Sequence, residues 1–326
     1  MRFGFDGQLG IFFRSHLGYV RNPLTLMLMI MTIESFKLPT TDLGVHIVGR
    51  KRGNGPPLLL LHGNPLTHLS WERIAPRLAD EFTVVTTDLR GYGDSDKPQG
   101  LPDHSNYSFR RMAQDQVDVM GQLGFERFGV AGHDRGARTA FRMALDHPEK
   151  VSRVAFLDIL PTHCVFQNIK AQMAMDLYHW WFMAQPDGFP ETFLSGKEQY
   201  YISTKLLKQG PGKGGFTQRE VDEYIRVCTP ENIHAVCEDY RAAFHIDLPM
   251  DTRDFEAGRK VQPPALVLWG AQSHTALRHD PREEWPKYCQ HIVDMIELPC
   301  GHYPNEQAPD ETYQALQTFF SAPLKT

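Results

Sequence analysis

The run Phe128-Gly129-Val130-Ala131-Gly132-His133-Asp134-Arg135-Gly136-Ala137-Arg138 leaves the chain few folds to choose from. An apolar stretch enters a small-x-Asp-x-small turn and continues in helix-forming residues, the pattern of a nucleophile elbow, where a strand turns sharply into a helix. The apex residue is held in strained backbone geometry, and Gly132 and Gly136 remove the side chains that would collide there. The helix that follows aims backbone N–H groups and a partial positive charge at the apex.

Asp at the apex, where ester hydrolases usually carry Ser, restricts the chemistry. A carboxylate that displaces a leaving group from a saturated carbon forms an ester whose carbonyl belongs to the protein, and water attacking that carbonyl regenerates the acid. Serine attacking the same carbon would leave an ether that the site could not hydrolyse. Asp134 therefore points to carbon–halogen bonds or epoxides ahead of carboxylic esters.

Short β-rich runs alternate with helical patterns from Phe36 onward. Val45–Val48, Pro57–His62, Phe82–Asp88, the elbow strand, Val151–Asp158, Ala265–Gly270 and His291–Leu298 read as strands, several of them apolar on both faces. Helices are expected over Trp71–Ala79, Phe109–Leu123 and Asp310–Phe320. Such alternation implies an α/β class, a mostly parallel central sheet with helices on both faces. Ligands of these sheets bind beyond the C-terminal strand ends, where Asn64, Asp134 and Asp158 are expected. The alternation stops between Pro161 and about Phe255, a stretch rich in helix formers and aromatics that reads as an inserted helical cap. The expected division is a core of 33–160 and 256–326, a cap of 161–255, and an extension of 1–32 outside the fold.

That extension carries Arg2, Arg14 and Arg21 before an apolar run, Leu24–Met31, too short to span a bilayer and lacking a small-residue cleavage site. Met31 is an alternative first residue. A formal charge of -5 argues against a general nucleic-acid binder. Five scattered cysteines without a CxxC pair suit reduced thiols, and a cytoplasmic protein with no membrane partner is expected.

A nucleophile at an elbow, an acid after a later strand and a His after the last strand occur here in the chain order of α/β-hydrolases. Asp134, Asp158 and His302 fit those posts, with His302 as the base that activates water and Asp158 as the group that orients its imidazole. The other customary place for the acid, after the Trp269 strand, offers no carboxylate before Asp280. Arg135 and Arg138 lie three residues apart on the elbow helix, hence on neighbouring positions of one face. Cations there oppose the helix dipole, a cost better tolerated if an anion binds, and guanidinium grasps a carboxylate through two parallel bonds. The expected substrate is a small carboxylic acid with its leaving group on the adjacent carbon.

The stretches Gly132–Arg138, Asp158–Thr162, Tyr178-His179-Trp180, Cys237–Ala242 and Gly301-His302 together resemble the fluoroacetate (haloacetate) dehalogenases, from about Phe36 to Ala322. The resemblance implies an α/β-hydrolase fold in which Asp134 attacks the halogenated carbon, Arg135 and Arg138 hold the carboxylate, and His302 with Asp158 drives ester hydrolysis. His179, Trp180 and Tyr240 match the halide-binding trio of that family, and each supplies an N–H or O–H donor. Water is the only co-substrate, no metal or organic cofactor is called for, and similar proteins form homodimers. An aromatic residue often follows the His-Gly turn in the family, whereas this chain has Asn64, as in haloalkane dehalogenases, whose Asn side chain helps hold halide. Asn64 either adds a donor, reshapes the pocket or only makes the turn, and its backbone N–H with that of Arg135 is the expected oxyanion hole. An epoxide hydrolase with the same Asp134 and cap tyrosines (Tyr178, Tyr200, Tyr201, Tyr240) is the alternative enzyme. A ligand-binding protein that has lost catalysis is the alternative outside enzymes.

Overall fold

A computed structural model describes residues 33–207 and 215–323, so the expectations for the N-terminal extension lie outside the described residues. The strands are β1 (Glu34–Pro39), β2 (His46–Arg52), β3 (Pro57–Leu61), β4 (Thr83–Thr87), β5 (Phe128–His133), β6 (Val151–Leu157), β7 (Ala265–Gly270) and β8 (Ile292–Leu298). They form one sheet in the order β1-β2-β4-β3-β5-β6-β7-β8. The β1–β2 and β2–β4 pairs are antiparallel, and every pair from β4 through β3, β5, β6 and β7 to β8 is parallel.

Apolar residues on both faces of the inner strands have a use for each face. Leu59, Leu61, Val130, Phe156 and Val267 pack into one core with α1 (Phe109–Gln122) and α2 (Arg135–Asp146). Their neighbours Leu58, Leu60, Ala131, Ala155 and Leu266 pack on the opposite side with Trp71, Leu78, Leu316 and Phe319. Successive strand residues point to opposite faces, so both layers of helices are covered by the same short runs.

Two local readings needed revision. The helix expected over Trp71–Ala79 is broken into a 3-10 turn, His68–Trp71, and a short helix, Ala75–Leu78. Pro76 lacks the N–H that a continuous helix would need and crowds the carbonyl four residues earlier. Edge strand β1 carries the half-exposed sequence ESFKLP, which has no buried face and hence no strong apolar signal.

Among the described residues, β6 and β7 are separated by helices alone. They include α3 (Tyr178–Met183), α4 (Glu198–Leu207) and α5 (Pro230–Ala242), followed by a π-helical turn at Ala243–Asp247. Thr229 fixes the start of α5 by accepting the Asn232 N–H, and Pro230 follows it where a missing N–H is harmless. No described helix is long and apolar enough to cross a membrane.

The elbow is tightly packed. A Cβ on Gly132 would lie 2.4 Å from the Gly136 carbonyl oxygen, and one on Gly136 would lie 2.5 Å from the Leu61 and His62 carbonyl oxygens. Strand, turn and helix thus touch backbone to backbone. Gly136→Ala is therefore expected to lose about 2–3 kcal/mol of unfolding free energy, measured by urea denaturation, while the same change at Gly121, whose added Cβ meets nothing within 4 Å, should be near neutral.

Candidate active site

Asp134 caps α2 with φ 49° and ψ -116°, a left-handed backbone that a non-glycine residue adopts only under constraint. The constraint comes from both sides. Gly132 and Gly136 close the turn, and a Cβ on Gly63 would stand 2.5 Å from the Asp134 Cβ. The carboxylate consequently projects beyond the strand ends, at the N-terminus of α2.

Its Oδ1 accepts the Asn64 backbone N–H at 2.9 Å, and its Oδ2 lies 3.6 Å from His302 Nε2. Burial alone would raise the Asp134 pKa, but the bond and charge of His302, with contributions from His133 and Arg135, hold it well below the usual carboxylate range. On its far side, His302 Nδ1 donates to Asp158 Oδ2 at 2.5 Å, while Asp158 Oδ1 accepts the Gly270 N–H at 3.0 Å. Burial works to lower the His302 pKa, and the two carboxylates overcome it and lift the value to about 9. Asp134, His302 and Asp158 are thus brought together as expected.

His133, the residue before the apex, donates from Nε2 to the His302 carbonyl at 2.6 Å and stays neutral, because burial drives its pKa down to about 4. It fixes the backbone of the loop that carries His302. The His274 ring lies tilted against His302, with ring centroids 4.8 Å apart. Neither role was legible in sequence, where a buried His beside a nucleophile looks like any other elbow residue. Asp158, His274 and His302 also bring one donor atom each within 4.8 Å of one another, the one such group among the described residues. Two of the three are already joined by the Asp158–His302 hydrogen bond.

The arginine pair is not symmetric. Arg135 is fully buried and binds both carboxylate oxygens of Asp239, through Nε at 2.8 Å and through Nη2, and donates as well to the Asp239 carbonyl. Tyr92 Oη donates to the same carboxylate at 2.7 Å, and the Tyr240 ring covers the guanidinium at 4.2 Å. The anion expected for Arg135 is therefore the protein's own, with only Nη1 left without a partner. Of the pair expected to hold a substrate carboxylate, Arg135 offers Nη1 alone. Arg138 donates from Nη1 to the Leu160 carbonyl and Thr162 Oγ1, while its Nε is buried without a partner. Among the described residues it has no carboxylate partner, and burial, reinforced by the Arg135 charge, pulls its pKa down to about 10. A narrow cleft beside the elbow is lined by Arg138, Asp134 and Asp158 among others.

A cavity of about 560 Å³ opens over Asp134 and is walled by Asn64, His179, Trp180, Tyr240, His274 and His302, among others. His179 and Trp180 sit on α3, Tyr240 on α5, and their rings meet, with His179–Tyr240 and Trp180–Tyr240 centroids 5.7 and 6.3 Å apart. Burial, with the nearby Lys205 charge, keeps the His179 pKa well below its ordinary value, so the ring is a neutral donor. Asn64 donates from Nδ2 to Tyr240 Oη at 3.0 Å. That bond leaves the phenolic proton to point elsewhere. Lys205, on α4, lines the same cavity and was not foreseen, since a lysine on an amphipathic helix ordinarily reads as a solvated charge.

Asp239→Asn would leave the buried Arg135 charge without its counter-ion. We expect it to lower the unfolding free energy by about 3–5 kcal/mol, read by urea denaturation, and a loss below about 1 kcal/mol would mean that solvent reaches the pair.

A family model described as the alpha/beta hydrolase fold matches residues 56–309. The fluoroacetate dehalogenase of Burkholderia sp is 43% identical over 293 residues, 88% of this chain and 95% of that protein. The soluble epoxide hydrolase of Corynebacterium sp. (strain C12) is 29% identical over 277 residues, covering 84% of this chain and 92% of its own. The crystal structure of an alpha/beta hydrolase from Nostoc sp PCC 7120 superposes with a TM-score of 0.86 at 47% identity, covering 90% of this chain and all of its own. With the elbow, the sheet order and these similarities in hand, the chain belongs to the α/β-hydrolase superfamily and, within it, to the fluoroacetate (haloacetate) dehalogenase family of hydrolases.

Proposed function

We propose that the protein hydrolyses haloacetates, fluoroacetate or chloroacetate, to glycolate and halide. The observation that carries this reading is the position of Asp134: an ionised carboxylate faces a cavity that also holds three aromatic N–H and O–H donors, and a cleft at its side presents Arg138, a cation without a carboxylate partner. The substrate carboxylate pairs with Arg138, assisted by Arg135 Nη1. Oδ2 of Asp134 attacks the adjacent carbon, the carbon–halogen electron pair leaves with the halide, and His179, Trp180 and Tyr240 donate to it. Several donors are needed for fluoride, which is strongly hydrated in water.

The ester then has Oδ1 as its carbonyl oxygen, already held by the Asn64 N–H, the group that also stabilises the tetrahedral intermediate. Water attacks the ester carbonyl and gives a proton to His302. As the intermediate collapses the departing oxygen takes that proton, glycolate leaves with the oxygen that began on Asp134, and the acid proton left on Asp134 passes to His302. The helical insert, read as a cap, excludes bulk water from the first step.

The charge on His302 changes between the two steps. Beside an ionised Asp134 it is an imidazolium, with a pKa of about 9. Ester formation removes the negative charge that supports it, its pKa falls, and the proton is lost to solvent. The free imidazole is then the base that the second step requires.

An epoxide hydrolase is the second reading, favoured by the 29% identical epoxide hydrolase and by Tyr240, whose proton is free to protonate an opening ring oxygen. Tyr303, next to His302 and 2% exposed, also lines the cavity beside Tyr240, while the other tyrosines expected for this role do not stand deep in it. Tyr178 is 53% exposed on the cavity wall, Tyr200 is 72% exposed, and Tyr201 does not line the cavity. A neutral epoxide also gains nothing from Arg138.

Halide release from fluoroacetate, chloroacetate and a neutral chloroalkane decides between them. Only the haloacids should react, and Asp134→Asn should abolish turnover. Reaction with the chloroalkane or styrene oxide alone rules out the carboxylate grip. Arg138→Leu should lower kcat/KM for haloacetates by roughly 10- to 100-fold, mainly through KM. Single turnover in heavy-oxygen water should label the Asp134 carboxylate and not the glycolate hydroxyl.

The His302 titration is a separate check. Because its pKa is raised by an anion, the charged form persists below about pH 9 and is lost above it. By imidazole NMR, Asp134→Asn should move the titration from about 9 down toward the ordinary 6.5. An unmoved value would leave the base charged during hydrolysis and remove it from that role.

A further inference from the structure

Lys205 stands outside every role described so far. Its stem is partly exposed, yet its Nζ is buried and has no hydrogen-bond partner. A lysine kept for solubility reaches water, and one kept for stability reaches a carboxylate; this one does neither. One helical turn earlier on the same face of α4, the Tyr201 hydroxyl is also buried without a partner, and the ammonium lies 5.9 Å from the centre of its ring. Two unsatisfied polar groups on one strip of helix are costly unless something charged arrives to meet them.

Lys205 lines the cavity shared by Asp134, His179, Trp180 and Tyr240. Its charge is felt by the His179 ring and in turn feels Asp134. Burial lowers its pKa to about 8, so the ammonium form still predominates at neutral pH. The resting site therefore holds an uncompensated cation on the insert, on the side of the cavity where the halide donors stand.

We propose that Lys205 is a further catalytic residue, the cation that receives the halide as the carbon–halogen bond breaks. The inference rests on the haloacid reading. In the first step the nucleophile loses its negative charge and the halide gains it, so the charge crosses from the elbow toward α3 and α4. His179, Trp180 and Tyr240 offer neutral donors, and Lys205 offers the counter-charge. No proton moves: the ammonium stays protonated and the electron pair of the broken bond stays on the halide. Fluoride, the most charge-dense of the halides, gains most from such a partner.

The test uses the full chain with Lys205→Met and Lys205→Arg. Lys205→Met should lower kcat for fluoroacetate at least about tenfold more than kcat for bromoacetate, raise the inhibition constant of added chloride by a similar factor, and leave KM within about threefold, because Arg138 holds the carboxylate. Lys205→Arg should restore the halide order and chloride inhibition. Equal losses for the two substrates, unchanged chloride inhibition, or an arginine variant as poor as the methionine one overturns the proposal. Should Lys205→Met fail to fold, Lys205→Gln carries the same comparison. Chloride binding to the resting wild type and variants by calorimetry needs no turnover. If the wild type releases no halide from any haloacetate, the haloacid reading fails, and calorimetry still decides whether Lys205 binds halide.

Discussion

A carboxylate buried at the mouth of the sheet has to stay ionised and yet keep a lone pair uncommitted. Burying an isolated carboxylate costs several kcal/mol, and most such groups take up a proton instead. Asp134 avoids that through one backbone N–H on Oδ1, a helix N-terminus, and His302 at 3.6 Å from Oδ2. The nearest guanidinium, Arg135, is turned away into Asp239. An arginine clamped directly on Asp134 would occupy the oxygen that attacks in the proposed reaction. Held at one remove, it still favours the charged form, as the depressed Asp134 pKa records, without covering Oδ2.

The same ion pair joins two parts of the chain. Arg135 opens α2, the helix of the elbow, while Asp239 and Tyr240 lie next to each other on α5 of the insert. Tyr92 adds a bond to Asp239, and Asn64 bonds to Tyr240 from the turn after β3. The phenol is thereby placed relative to the carboxylate by buried contacts on both of its neighbours' sides. Donors fixed before the reaction need no reorganisation when charge develops, which is where electrostatic stabilisation has its effect.

How far this was legible depended on whether a residue's partners are near in sequence. Inner strands were readable because apolar runs bounded by turns need burial on both faces, and the elbow because two glycines spaced around one Asp have few other uses. The edge strand β1 and the break at Pro76 were missed, the first because it has no buried face, the second because one ring overrides a favourable local pattern. Asp134, Asp158 and His302 were found from their order along the chain. The ion pair of Arg135 was not foreseen for a physical reason: its partner Asp239 is 104 positions away, and no local pattern announces a buried pair. Lys205 was missed in the same way, since its burial comes from packing and not from its neighbours in sequence.

Dehalogenation and epoxide opening begin alike, with an aspartate displacing oxygen or halogen from a saturated carbon, and differ in what leaves. An epoxide oxygen stays on the product and needs a proton, so the cap must present acids; tyrosine hydroxyls suit that. A halide departs as a finished anion and needs donors or a cation. Around Asp134 in this chain, two tyrosines, Tyr240 and Tyr303, lie deep, a neutral imidazole and an indole join them, and an arginine and a lysine without carboxylate partners line the cleft and the cavity. Such a set is rich in positive charge as well as in N–H and O–H donors. It suits a reaction that starts from one anion and finishes with two, which is what hydrolysis of a haloacid does.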